Sequence, residues 1–168
     1  MGVALALLPA ACGRAPEHVG RVRALVARPP KDTIRFDVPA DARRCGGGTG
    51  SEGFLLQGSN QGNGVVVWLR ARGTRADSLP DGPWPLLQRG DTVSPRGATV
   101  GVRYVLNEVA HGLTLDSGAV EVRATGGVIT LVARGTGVEV AAAGRVALEA
   151  SFNAVPLEPD TVSCRARP

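Results

Sequence analysis

From Thr33 to Phe152 the apolar residues of this chain recur mostly at every second position, in short runs broken by glycine, and nothing there keeps helical spacing. A period of two places successive side chains on opposite faces of an extended backbone, so such runs become half-buried strands. Ile34, Phe36 and Val38 alternate with Thr33, Arg35 and Asp37 until Pro39 closes the run. Phe54-Leu55-Leu56 and Val65 to Leu69 are continuous apolar runs joined by Gly58 to Gly64, which predicts a central hairpin covered on both faces. Val100, Val102, Tyr104 and Leu106 resume the alternation; Leu113 and Leu115 lead through a turn at Asp116-Ser117-Gly118 into Val120 and Val122. Ile129, Leu131 and Ala133 follow, then Val138 and Val140, then Val146, Leu148, Ala150 and Phe152, with turns expected at Gly126-Gly127, Gly135-Thr136-Gly137 and Ala143-Gly144. Strands in this number, with no helical pattern between them, predict an all-β domain: a single antiparallel β-sandwich or barrel of about eight to nine strands over residues 32–166. The glycine-led segments are weakly self-similar but share no fixed period, which excludes a solenoid.

Residues 71–97 interrupt the pattern with Pro80, Gly82, Pro83, Pro85, Gly90, Pro95 and Gly97. A loop this long inside a compact domain is often functional. Trp84, between two prolines, has two readings: a stacking platform for a sugar ring, or a lid over an open sheet edge, of which the lid is the commoner use.

The N-terminus has a different character. Gly2 to Leu8 is a short apolar run, followed by Pro9-Ala10-Ala11 and Cys12. This segment resembles a bacterial lipoprotein signal, although Leu8 stands four places before the cysteine and no basic residue precedes the run. The resemblance implies a signal peptide over residues 1–11 with a shortened n-region, cleavage before Cys12, and lipid on Cys12. Residues 12–31 then read as a basic tether, carrying Arg14, Arg21, Arg23, Arg28 and Lys31, with room for a short helix through Val19, Val22, Leu25 and Val26. With Cys12 lipidated, Cys45 and Cys164 remain, and export would put them where disulfides persist, so the β domain is expected to be stapled by one bridge. Two buried free thiols are the alternative; C-x-x-C spacing is absent and His18 and His111 lie far apart, so no zinc site is expected.

The formal charge of +4 comes from nineteen basic residues, all arginine but Lys31, scattered among few aromatics. That distribution excludes a nucleic-acid stripe. Gly48-Thr49-Gly50-Ser51-Glu52-Gly53 matches a dinucleotide-binding fingerprint in letters, but the next segment reads as a strand where a helix N-terminus is needed, so no cofactor is expected. Leu113-Thr114-Leu115-Asp116-Ser117-Gly118-Ala119 resembles the active-site motif of aspartic proteases. With a single copy, the resemblance implies a homodimer in which Asp116 activates water and Ser117 orients it. Asp-Ser-Gly is also ordinary hairpin chemistry. His111 reads as a loop histidine, without the G-x-S-x-G elbow a serine triad would need.

These readings converge on a lipid-anchored protein of the bacterial envelope, on the periplasmic or outer-membrane surface, with a non-catalytic binding or structural role. Its expected partners are the membrane, through lipid on Cys12, and a small ligand, glycan or envelope protein; the alternative is the dimeric aspartic protease.

Overall fold

The computed structural model describes residues 19–30, 32–46, 52–73, 79–140 and 144–164. The signal segment, Cys12, Lys31 and most of the glycine fingerprint lie outside them. The described residues form nine strands: β1 (Arg21–Arg28), β2 (Asp32–Gly46), β3 (Gly53–Asn60), β4 (Asn63–Ala71), β5 (Gly82–Trp84), β6 (Arg96–Leu106), β7 (Val109–Thr125), β8 (Val128–Glu139) and β9 (Arg145–Ser163). Eight of them run up and down in the order β7-β6-β4-β3-β2-β1-β9-β8, and β8 pairs back onto β7, so the sheet closes into a barrel; β5 is the extra strand.

Inward positions alternate as the sequence requires. Val22, Ala24 and Val26 of β1, Val65, Val67 and Leu69 of β4, and Val146, Leu148, Ala150 and Phe152 of β9 are all buried. An eight-stranded barrel is just wide enough for such side chains to fill. The outer face carries most of the charges, including the ion pairs of Arg21 and Arg23 with Asp37 and of Arg134 with Glu149.

Residues 21–28 correct the tether reading. They form β1, which pairs with β2 on one side and β9 on the other and closes the barrel. Arg21 and Arg23 alternate with Val22, Ala24 and Val26, so their charge belongs to the outer face of a strand, while Arg28 keeps the inward parity. Upstream of Arg21 the gap narrows. Gly20 is wedged where a Cβ would stand 2.6 Å from Val155 Cα, and beyond it β2 and β9 pair directly in parallel from Ala42↔Leu157 onward. The Cys45–Cys164 disulfide, with Cα atoms 4.7 Å apart, fastens the far end of that parallel seam.

β2 continues through Pro39, where the alternation had suggested an end. Ala40 donates its N–H to Gly20 O at 2.7 Å, so the missing donor of Pro39 points to the opposite side, toward β3, and the β3 pairing starts only at Ala40. Proline is tolerated where no ladder bond is required. The β3–β4 turn is also tighter than expected: it is Gln61-Gly62 alone, both at positive φ (49° and 85°), joining strands paired out to Asn60↔Asn63.

Two expected turns are strand interior. β7 runs unbroken through Asp116-Ser117-Gly118, and β8 runs through Gly135-Thr136-Gly137. Asp116 is the extra residue of a bulge, since Leu115 faces Gly137 and Ser117 faces Thr136. Around it the two backbones crowd together: a Cβ at Gly118 would collide with Arg134 O, one at Gly135 with Ser117 O, and one at Gly137 with Thr114 O. These glycines serve close approach between strands.

Residues 79–97 of the interruption fill a second gap. β6 pairs with β7 only from Gly101↔Thr114 to Leu106↔Val109, and beyond that the strands diverge. β5 enters the opening and pairs with Val120 to Val122 of β7, while Leu87 donates to Ala98 O and Ala98 donates to Pro85 O on the β6 side. Trp84 is 1% exposed, donates through Nε1 to Pro80 O at 3.1 Å, and is covered by the Arg96 guanidinium 4.5 Å from its ring. It is therefore the lid, and the stacking-platform reading is corrected. Arg70 pins the rest of the segment by donating to Asp91 and to Ser94 O. Trp84→Ala removes the plug between β6 and β7; the expected loss is about 3–5 kcal/mol, read as a lower denaturant midpoint for the full chain.

A buried carboxylate as the candidate functional site

β8 carries Ile129, Leu131 and Ala133 into the barrel, and because the strand does not turn at Gly135-Thr136-Gly137 the same parity places Glu139 inside. Val138 and Val140, expected to face the core, are instead exposed. A one-residue change of register exchanges the two faces of a strand. Glu139 thus ends up as a carboxylate 2% exposed at the barrel end where β1, β3, β6 and β8 finish.

Three inward residues on other strands meet it. Arg28, the last residue of β1, donates Nε to Glu139 Oε2 at 2.9 Å. Tyr104 of β6, fully buried, donates its hydroxyl to Oε1 at 3.0 Å. His111, directly across from Tyr104 on β7, stacks on the phenol ring with centroids 5.4 Å apart and planes 15° apart. Its Nδ1 lies against Glu139 Oε1 at ion-pair range but outside hydrogen-bond geometry. Asp32, at the start of β2, adds a carboxylate 3.5 Å from Arg28.

Burial opposes the charge on Glu139. The hydrogen bonds from Arg28 and Tyr104 and the positive charge of Arg28 outweigh it, so its carboxyl is held below the usual range. Arg28 is correspondingly pushed up by its hydrogen bond to Glu139. Tyr104 is pushed up to about 12, first by burial and then by the hydrogen bond it gives Glu139. Both carboxylate oxygens are engaged, Oε2 by Arg28 and Oε1 by Tyr104, so the cluster holds the Glu139 carboxylate in place. A buried ion pair of this kind adds little net stability, yet removing one partner strands the other.

The sequence-derived candidates are dispersed. Asp116 is on the outer face of the barrel, in a two-pronged ion pair with Arg145, which also donates to Thr136 Oγ1 at 2.7 Å. Ser117 follows it on the exposed face. Trp84 is at the β6/β7 gap and the disulfide is at the β2/β9 seam, so the fold brings none of these together. His111, read as a loop residue, is an inward strand residue 12% exposed in its side chain. Glu139, Arg28 and Tyr104 were not singled out from the sequence; the parity of β8 continued across its glycines is the signal that points to Glu139. Among the described residues no group of three or more histidines, cysteines and acids is placed to hold a metal ion. Comparisons with protein-family models, curated proteins and solved structures find no match.

Glu139→Ala leaves Arg28 and Tyr104 without their acceptor, and the expected cost is about 3–5 kcal/mol by denaturant unfolding. Tyr104 is the only tyrosine in the chain, so tyrosinate absorbance reads it alone. Its folded value of about 12 exceeds the unfolded value of about 10. The stability it contributes is complete below the lower value and disappears as pH rises toward the higher one. Tyr104→Phe is expected to flatten the fall in unfolding free energy across that window.

Proposed function

We propose that this protein is a lipid-anchored component of the bacterial envelope whose β-barrel serves as a binding or structural module and performs no catalysis. The observation that carries the reading is the Cys45–Cys164 bridge, a pairing that persists in oxidising compartments and leaves Cys12 as the third cysteine of the chain. Gly20 enters the barrel between β2 and β9, the same seam that ends in the bridge. Six residues lie between Cys12 and Val19, and the seven steps from one to the other reach at most about 25 Å when fully extended. A lipid on Cys12 would therefore hold the disulfide end close to the bilayer and turn the Glu139 end outward.

The geometry of Asp116 favours no protease reading. An aspartic protease needs two carboxylates sharing a proton, and here the carboxylate is committed to Arg145 on an outer face. The barrel interior is equally committed, to apolar packing and the Glu139 cluster.

Intact-mass measurement of protein isolated from its native host, without and then with reductant, tests the proposal. The expected result is a chain lacking Met1, carrying acyl mass on Cys12, and gaining two hydrogens on reduction. A product that retains Met1 and titrates three free thiols overturns it.

A further inference from the structure

We propose that the outer face at the β3–β4 hairpin is a binding site for an anionic saccharide, with Arg103 taking the acidic group. A solvent-open depression of about 460 Å³ lies there, lined by Ser59, Asn60, Gln61, Gly62, Asn63, Gly64 and Arg103. Arg103 projects outward from β6 and makes no ion pair among the described residues. Arg21, Arg23, Arg28, Arg43, Arg70, Arg134 and Arg145 all have acidic partners. No acidic residue lines the depression, so the guanidinium charge there is uncompensated.

The space beside Arg103 is enforced by the backbone. Its cross-strand neighbours are Gly64 on β4 and Gly112 on β7, neither with a side chain to fill the flanks. A Cβ at Gly64 would stand 2.8 Å from Ser59 Cβ, and one at Gly62 would stand 2.8 Å from Val105 Cγ2, so the hairpin packs this way only with glycine at both positions. Asn63 fixes the hairpin against β6 by accepting the Val105 N–H through Oδ1 at 2.9 Å, which leaves its Nδ2 as a donor.

The lining chemistry selects the ligand class. A guanidinium fork matches a carboxylate or phosphate in two-pronged fashion. The Ser59 hydroxyl and the amides of Asn60, Gln61 and Asn63 both donate and accept, which suits a ring of hydroxyls and gives a bare inorganic anion little. The volume falls within the range of small-ligand sites, while the open, polar walls predict weak binding, on the order of millimolar per sugar unit. Uronates and sugar phosphates share this chemistry, whether free or within an envelope polymer. The site stands on the barrel alone and does not depend on the lipid anchor, so failure here and failure of anchoring are separate results.

The test is an amide-resolved NMR titration of the full chain with galacturonate, glucose 1-phosphate, glucose, inorganic phosphate and trigalacturonate. Saturable shifts from Ser59 to Gly64 and at Arg103 are expected with galacturonate and glucose 1-phosphate, with glucose and inorganic phosphate about tenfold weaker or worse. Arg103→Ala should remove the shifts and Arg103→Lys retain part of them, while Arg123→Ala, at another outward arginine without an ion pair among the described residues, should leave them intact. Tighter binding of trigalacturonate than of the monomer assigns the site to a polymer, and equal binding to a free sugar acid. Inorganic phosphate binding as well as glucose 1-phosphate, equal losses in Arg103→Ala and Arg123→Ala, or shifts absent from the hairpin would each overturn the proposal.

Discussion

Closure of the sheet on itself is the constraint from which the rest of the structure follows. A strand edge left open exposes a row of unpaired N–H and C=O groups, and this barrel parts at two places where neighbouring strands diverge. At one, β1 separates β2 from β9 along its length, and once it ends at Arg21 the two flanking strands come together in parallel. At the other, β6 and β7 part beyond Gly101 and Thr114, and β5 with Pro85 to Leu87 supplies the backbone partners. Each closure carries its own reinforcement: the disulfide beyond β1, and Trp84 under the Arg96 guanidinium at β5.

Closure also fixes the chemistry of the interior. Eight strands leave room for one set of side chains, and here that set is apolar along most of its length. The exception is the mouth where Glu139 meets Arg28, Tyr104 and His111. An ionised acid is tolerated there because its hydrogen bonds and the adjacent positive charge outweigh desolvation. With the interior so occupied, the proposed recognition falls to the outer face, where Arg103 stands beside a depression lined by Gly62 and Gly64.

Much of the strand content was legible in the sequence, and the places where it was not share one cause. Period-two alternation reports a face only while its parity is kept, and this chain changes parity inside strands. The inward residues of β7 pass from Leu113 and Leu115 to Val120 and Val122, an odd-to-even shift that reads as a turn; in the fold Asp116 absorbs it as a bulge. Around Gly135 and Gly137 of β8 the reverse holds: the glycines look like a break, the parity persists, and Glu139 is carried inside. Around β1, the basic residues Arg21, Arg23, Arg28 and Lys31 masked a strand whose inward positions 22, 24 and 26 are apolar.

The amino-acid sequence by itself determined the all-β class, the approximate number of strands, and the cysteines available for a bridge once Cys12 is set aside, because side-chain periodicity and residue inventory are local properties. Only the tertiary structure decided that the sheet closes, that glycines at 118, 135 and 137 serve contact between strands, and that Arg28, Tyr104, His111 and Glu139 converge. Those outcomes depend on register between strands distant in the chain. Register is set when all the inward faces must fill one interior together, a condition that no single segment can express.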